Sequence, residues 1–210
     1  MVDIFFGNSQ DSTRHDVPSH IYWGSPRGYA PYRRQELTGF GTIGSEIADL
    51  NRDGWPDILM VNRESGKLGT IPAVIFWGNF DHDYSSALAS LLDLKPKMEY
   101  SVADLDDDGF VDLVFLSGQN DHALVVWGSA EGFNTITGSN NRTKLPVNDP
   151  MSSSVADLNR DGYLDILFTT EKQHRVRAVI VWGNGQRFED AVTTQWDCLH
   201  RRPKRTLLPI

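Results

Sequence analysis

The sequence contains almost no cysteine, since Cys198 is the only one among its 210 residues. A single cysteine excludes an internal disulfide framework and leaves the redox compartment open. Long hydrophobic runs are also missing: none approaches the roughly 18 apolar residues of a membrane-spanning helix, so no membrane span is expected. The first residues have neither the basic region nor the long apolar region of a secretion signal.

Positive charge is scarce as well, with 20 Lys and Arg against 28 Asp and Glu and a net charge of −8. The one dense basic run, 201–205, lies in a terminal tail, so no nucleic-acid partner is expected. The acidity is concentrated in three short clusters that hold ten carboxylates at candidate ligand positions. Three bound divalent cations would change the net charge from −8 to −2, and the acidity therefore says nothing about basic partners.

An internal repeat of a little over fifty residues is the main signal in the chain. An acidic segment with one order of apolar, acidic and glycine residues occurs three times, and its first aspartates, Asp49, Asp104 and Asp157, are 55 and 53 residues apart. An apolar run closed by Trp-Gly occurs four times, ending at Gly24, Gly78, Gly128 and Gly183. The unequal counts predict that the first repeat starts inside its acidic loop, with Asp3 equivalent to Asp57.

Within each repeat, short β-branched and aromatic runs are separated by Gly, Asn, Asp and Pro, a pattern that predicts four strands. Four antiparallel strands in about fifty residues are the content of one propeller blade. The sequence thus predicts an all-β fold: a β-propeller of about four blades over 1–194, with a basic tail, 195–210, outside the repeat pattern. Helical periodicity is weak; only 85–94 is predicted as a short helix, and 138–149 as a surface loop.

The Trp-Gly pairs have two interpretations. The first is architectural: each Trp packs between blades, and each Gly adopts a positive φ in a turn. The second is that exposed tryptophans stack on sugar rings. Four equivalent positions favour the architectural interpretation.

The acidic segments suit calcium, which takes six to eight oxygen ligands at about 2.3–2.6 Å. In a nine-residue loop, the side chains at positions one, three, five and nine and the carbonyl at position seven can converge, while a glycine at position six permits the tight turn. The candidate ligands are Asp49, Asn51, Asp53, Trp55 and Asp57; Asp104, Asp106, Asp108, Phe110 and Asp112; and Asp157, Asn159, Asp161, Tyr163 and Asp165. The sequence therefore predicts three calcium ions, and the alternative is Asx-rich turns without metal.

An EF-hand would place a bidentate glutamate at position twelve of such a loop and a helix on each side of it. Position twelve is instead occupied by Met60, Phe115 and Phe168, which lie inside predicted strands. The pattern is therefore typical of a calcium loop on a β-hairpin.

The segment 48–58, ADLNRDGWPDI, followed by a strand ending in Trp-Gly, resembles the FG-GAP (VCBS) repeat of integrin α-subunits and many bacterial secreted proteins. The resemblance implies a β-propeller, commonly seven-bladed, with calcium in the loop between the first two strands of certain blades. It also implies an extracellular, cell-surface or periplasmic location. The fifteen candidate ligands match the family's calcium loop position by position. The family's Phe-Gly and Gly-Ala-Pro signatures are not clearly present, and the repeats are fewer than seven.

Three functions are compatible with these features. A binding or adhesion module would present variable connections to a protein or carbohydrate, with calcium only stiffening the blades. A propeller domain or fragment of a secreted polysaccharide-degrading enzyme would need convergent catalytic groups outside the acidic loops; none is evident, so no catalytic residue is assigned, and 81–83 and 120–122 are the first places to look. A scaffold fragment would have no ligand of its own.

The number of repeats also bears on association. A small set of blades leaves apolar blade faces without a neighbour, which favours association. We therefore expect a homo-oligomer or completion by further propeller blades, with a closed four-bladed monomer as the alternative.

Overall fold

The computed structural model describes residues 1–14, 16–62, 71–92, 96–117, 122–133, 141–172, 175–188 and 191–197. The described chain is all-β apart from one short 3₁₀ turn, Ser86–Leu88. The strands are β1 (Ile4–Phe6), β2 (Ser19–Tyr22), β3 (Arg34–Leu37), β4 (Thr42–Ala48), β5 (Asp57–Asn62), β6 (Ala73–Phe76), β7 (Ala89–Leu92), β8 (Pro96–Ala103), β9 (Asp112–Ser117), β10 (His122–Val126), β11 (Arg142–Asn148), β12 (Pro150–Ala156), β13 (Asp165–Lys172), β14 (Arg175–Val181) and β15 (Thr193–Asp197).

The strands form four antiparallel sheets, each built from consecutive strands. The first sheet has three strands, β1 to β3, and the second, third and fourth sheets have four each: β4 to β7, β8 to β11, and β12 to β15. Each sheet is a meander in which every strand pairs with the next one along the chain. The three-stranded first sheet agrees with the prediction that the first repeat starts at its second strand.

The sheets pack face to face in chain order because their strands are apolar on both faces. We call the face towards the following sheet the forward face, and the face towards the preceding sheet the backward face. Three apolar clusters join first to second, second to third, and third to fourth sheet. In the last of these, Val114 and Val125 of the forward face meet Ile166 and Phe168 of the backward face. Middle strands such as β5, β6 and β10 are almost continuously hydrophobic, as expected for strands that are covered on both sides.

The forward face of the fourth sheet carries the same pattern as the buried forward faces. Leu37, Leu92 and Leu145 occupy one equivalent position on the last strand of the first three sheets and are at most 1 % exposed. Trp196 occupies that position in the fourth sheet and is 42 % exposed. Among the described residues, no apolar cluster links the fourth sheet to the first.

The Trp-Gly prediction is correct for Trp23, Trp77 and Trp127, which pack in the junctions between sheets, but Trp182 belongs to none of these junctions. The prediction is wrong for the glycines. Trp127 is fully buried between the third and fourth sheets, where it stacks on Phe188. The glycines are not among the positive-φ residues. A Cβ at Gly78 or Gly128 would instead overlap the carbonyl oxygen of Pro56 or Val111, so the glycine is required by close backbone approach.

Three local predictions need correction. Residues 142–148, predicted as surface loop, form β11, because Leu145 and Val147 alternate with polar residues and are buried on one face. The predicted helix over 85–94 is a 3₁₀ turn followed by β7. β15 runs to Asp197 and so crosses the predicted boundary at 194; the rest of the tail, 198–210, lies outside the described residues.

None of the described helices is long and apolar enough to cross a membrane.

Candidate metal centre

The three acidic loops lie at equivalent places, in the tight turns between β4 and β5, β8 and β9, and β12 and β13. The predicted glycine turns are confirmed, since Gly54, Gly109 and Gly162 have φ of 91°, 90° and 94°. Position four is left-handed as well, at Arg52, Asp107 and Arg160, with φ of 59°, 58° and 63°. Two left-handed residues close together curl each loop tightly.

The first and third loops are held by hydrogen bonds among their own candidate ligands. In the first loop, Asp49 accepts the backbone N–H groups of Asp53 and Gly54, each at 3.0 Å. The Asn51 side-chain amide donates to Asp53 Oδ2 at 3.0 Å. The third loop repeats this arrangement, with Asn159 donating to Asp161 Oδ2 at 2.8 Å. An amide at position three therefore partly satisfies the carboxylate at position five.

The second loop has a carboxylate at position three, and its acidic groups converge. Asp104, Asp106 and Asp108 each place one carboxylate oxygen within 4.8 Å of the others. Asp104 Oδ1 and Asp106 Oδ1 are buried and have no hydrogen-bond partner. Burial raises the pKa of Asp104, and Asp108, Asp106 and Asp107 contribute further. Buried carboxylate oxygens without a hydrogen-bond partner are costly unless a cation binds them.

Two arginines from the neighbouring sheets contact the second loop. Arg187, from the turn between β14 and β15, donates through Nε to Asp106 Oδ2 at 2.9 Å, and its Nη2 lies 3.7 Å from Asp108 Oδ2. Its guanidinium also lies over the Trp127 ring, 5.2 Å from the centroid. Arg52, from the first loop, lies over the Phe110 ring at 5.5 Å. The most acidic loop is thus flanked by two positive charges that the repeat pattern did not reveal.

The aspartate at position nine lies beneath each loop, at the start of the second strand of the hairpin. Asp57 Oδ2 accepts the Leu50 N–H at 2.8 Å, and Oδ1 accepts the Gly78 N–H at 2.8 Å. Asp112 and Asp165 make the same two bonds, and Asp3 makes the one to Gly24. Each of these carboxylates therefore ties the acidic loop to the glycine of the Trp-Gly pair.

Burial strongly shifts the pKa of two position-nine carboxylates, Asp57 and Asp112. Burial raises the pKa of Asp57 to about 6, and Asp53 and Asp49 add to the shift. Burial likewise raises the pKa of Asp112 to about 7, with Asp106 and Asp108 adding to it. These groups sense the charge of the loop above them, so a cation bound there would favour their ionised form.

Position seven places its side chains against neighbouring turns. Trp55 packs edge-on against Phe80 and His82, and Phe110 lies under Arg52. The loop backbone at this position is fixed by N–H groups that donate to position five, as in the bonds from Trp55 to Asp53 and from Tyr163 to Asp161. That the carbonyls of Trp55, Phe110 and Tyr163 are metal ligands stays a prediction.

The second loop meets the requirements of a hard cation. Its donors are oxygens, three carboxylates converge, and two buried oxygens have no other partner. Oxygen-only donor sets of this kind suit calcium or magnesium better than thiophilic or imidazole-preferring metals. In the first and third loops, the asparagine amides would have to turn their oxygens inward to complete an equivalent donor set.

Mutation can separate the structural role of the position-nine aspartate, which accepts two backbone hydrogen bonds, from a role as a metal ligand. In the absence of metal, Asp165→Ala is expected to lower the unfolding free energy by about 2–4 kcal/mol, because the N–H groups of Leu158 and Gly183 lose their acceptor. Asp157→Ala is the matched control in the same loop: its partners are exposed and can bond to water, so a loss below about 1 kcal/mol is expected. Denaturant unfolding in chelator measures both, and equal losses would contradict the structural role.

The histidine-containing segments show no catalytic arrangement among the described residues. The His82 ring lies edge-on to Trp23 and Trp55, 5.8 and 5.7 Å away, and so belongs to the junction between the first and second sheets. His122 is buried in β10. Residues 120 and 121 lie outside the described part of the chain.

The sheets and loops define a class: an all-β protein of successive antiparallel sheets with an acidic turn in the first hairpin of each complete sheet. A family model for the FG-GAP-like repeat matches residues 104–168, from the second acidic loop into β13. The chain therefore contains an FG-GAP-like repeat, as the resemblance predicted. Comparison with curated proteins found no match.

Proposed function

We propose that this chain is a calcium-binding β-propeller repeat module that acts in binding or adhesion, with calcium in a structural role. The observation that carries the proposal is the convergence of Asp104, Asp106 and Asp108, two of which have a buried oxygen without a partner. Three loops of one design, in phase with the sheets, support three sites. An extracellular setting, where calcium is plentiful, is part of the proposal.

The metal would stiffen the hairpins without reacting. Each loop joins the first two strands of its sheet, and position nine ties it to the Trp-Gly turn. A cation that draws positions one, three and five together would therefore fix the end of the sheet. The ligand-binding surface would lie on the variable connections, several of which, such as 63–70 and 134–140, lie outside the described residues.

The propeller arrangement is supported by the three sheet junctions. Each buries the forward face of one sheet against the backward face of the next, so further sheets can be added by the same contacts. The forward face of the fourth sheet, where Trp196 is 42 % exposed, offers the next such contact. Completion by further blades or by a second copy would cover it.

Calcium titration tests the function directly. We expect three calcium ions per chain by calorimetry and a lower melting temperature in chelator. A ligand that binds only the folded state stabilises it by about 2.7 kcal/mol at a hundredfold excess over its Kd. A melting temperature indifferent to both calcium and chelator would overturn the calcium proposal.

The stoichiometry can be assigned to individual loops. Asp53→Ala, Asp108→Ala and Asp161→Ala should each remove one calcium ion while the protein still folds, because these aspartates lie in exposed turns. Asp16→Ala is the control, since Asp16 is exposed and its charge pairs with Arg14 at 3.5 Å, away from every loop. Unfolding of the whole chain by one loop substitution at saturating calcium would show that the loops have a larger role.

A further inference from the structure

Arg187 connects the fourth sheet to the second acidic loop. It donates to Asp106 Oδ2 at 2.9 Å, stacks on Trp127, and its Nη1 lies 3.5 Å from the Asn141 side-chain oxygen. The Asp106 side chain is only 9 % exposed, whereas Arg187 keeps 41 % of its side chain exposed. A nearly buried carboxylate thus has a half-exposed guanidinium as its charge partner.

The first and third loops have no carboxylate at position three that would need such a partner. Each has an asparagine at position three and an arginine at position four, Arg52 or Arg160. The second loop has aspartates at both positions, Asp106 and Asp107, so four of its first five residues are acidic. The two arginines that flank the second loop, Arg52 and Arg187, both come from other sheets, and Arg187 pairs with its carboxylates.

Arg187 leaves two oxygens of the cluster without a partner. It contacts the Oδ2 atoms of Asp106 and Asp108, whereas Asp104 Oδ1 and Asp106 Oδ1 have no partner. A cation on Asp104 Oδ1 and Asp106 Oδ1 and the guanidinium on the Oδ2 atoms would be two positive charges a few ångströms apart, and they would repel each other.

We propose that Arg187 is a counter-ion that stabilises the second loop without metal and lowers the loop's calcium affinity, so that calcium occupancy and the contact between the third and fourth sheets are coupled. This inference rests on the proposed calcium site. By linkage, whatever weakens the Arg187 contact strengthens calcium binding, and bound calcium makes the Arg187 contact less important for stability.

The test is Arg187→Met, which keeps an apolar stem over Trp127 and removes the charge. Calorimetric titration with calcium chloride, in full-length chain that also carries Asp53→Ala and Asp161→Ala, reports on the second loop alone. We expect Kd to decrease on the order of tenfold, the effect of removing one unit charge close to a divalent ion near the surface. Arg187→Lys keeps the charge and should stay within about threefold of the Arg187 protein. Arg34→Met, which breaks a surface pair with Glu36 on the first sheet, is the control and should leave Kd unchanged.

A second readout does not depend on the double-loop variant. With the other loops intact, Arg187→Met should lower the melting temperature in chelator more than at saturating calcium, because only the metal-free loop needs the guanidinium. Equal losses in both conditions would show that Arg187 acts only by stacking on Trp127. A calcium Kd that is unchanged or larger in Arg187→Met would also overturn the proposal. If calcium binds no loop, the titrations of the unsubstituted protein fail first, which separates failure of the calcium proposal from failure of this one.

Discussion

Replacing Gly128 by alanine is expected to lower the unfolding free energy by about 3–5 kcal/mol. A Cβ at this position would overlap the backbone carbonyl oxygen of Val111, and backbone atoms cannot move aside as a flexible side chain can. The Gly128 N–H also donates to the buried Asp112 Oδ1 at 2.8 Å, so any shift of the chain lengthens that bond as well. A loss of this size is a large share of the 5–15 kcal/mol that holds a typical domain together.

Denaturant unfolding measures this prediction, and Gly28→Ala is the matched control. Gly28 has φ of 83° and no atom within 4 Å of the added Cβ, so alanine there experiences only backbone strain of about 1 kcal/mol. The difference between the two variants isolates the cost of close approach. Similar losses at the two positions would show that the chain near Gly128 relaxes easily.

Much of the fold and of the candidate site could be predicted from the repeat. The constant spacing of the repeats is informative, because three acidic turns and four Trp-Gly pairs at a nearly constant spacing must occupy equivalent structural positions. From this spacing the hairpins could be predicted, and so could the positive φ of Gly54, Gly109 and Gly162. The convergence of Asp104, Asp106 and Asp108 could be predicted in the same way. The positive φ predicted for Gly128 was wrong, because a glycine next to a turn can also be required by close backbone approach, which depends on a residue far along the chain.

The remaining features depend on contacts between repeats, which a repeat pattern does not encode. Arg187 differs from its counterparts in the other repeats, and only the packing of the fourth sheet on the third brings it to Asp106. β11 was missed because only Leu145 and Val147 of its seven residues are buried, so its alternation is short, and the proline between them and the polar residues around them suggest a loop. In the same way, the two backbone bonds of Asp57 could not be foreseen from its spacing, which fits a metal ligand equally well.

Trp127→Ala is expected to cost about 3–5 kcal/mol, since the removal of a fully buried tryptophan leaves a large cavity. The ring stacks on Phe188 with centroids 6.1 Å apart, and Nε1 donates to Thr143 Oγ1 at 2.9 Å. Both the third and the fourth sheet lose contacts, so the unfolding free energy of the whole array should decrease.

Trp182 has the same position in its repeat and the same kind of side-chain hydrogen bond as Trp127, but it differs in its neighbouring sheet. It follows β14 as Trp127 follows β10, and its Nε1 donates to Thr194 Oγ1 at 2.9 Å. It lies on the forward face of the fourth sheet, against which no further described sheet packs, so Trp182→Ala should cost about 1–2 kcal/mol. Denaturant unfolding of the two variants at several protein concentrations compares them. If Trp182→Ala lowers the unfolding free energy as much as Trp127→Ala does, and this loss grows with protein concentration, the forward face is not open but is covered by a second copy. The reason is that a contact between copies contributes more to stability as the concentration rises.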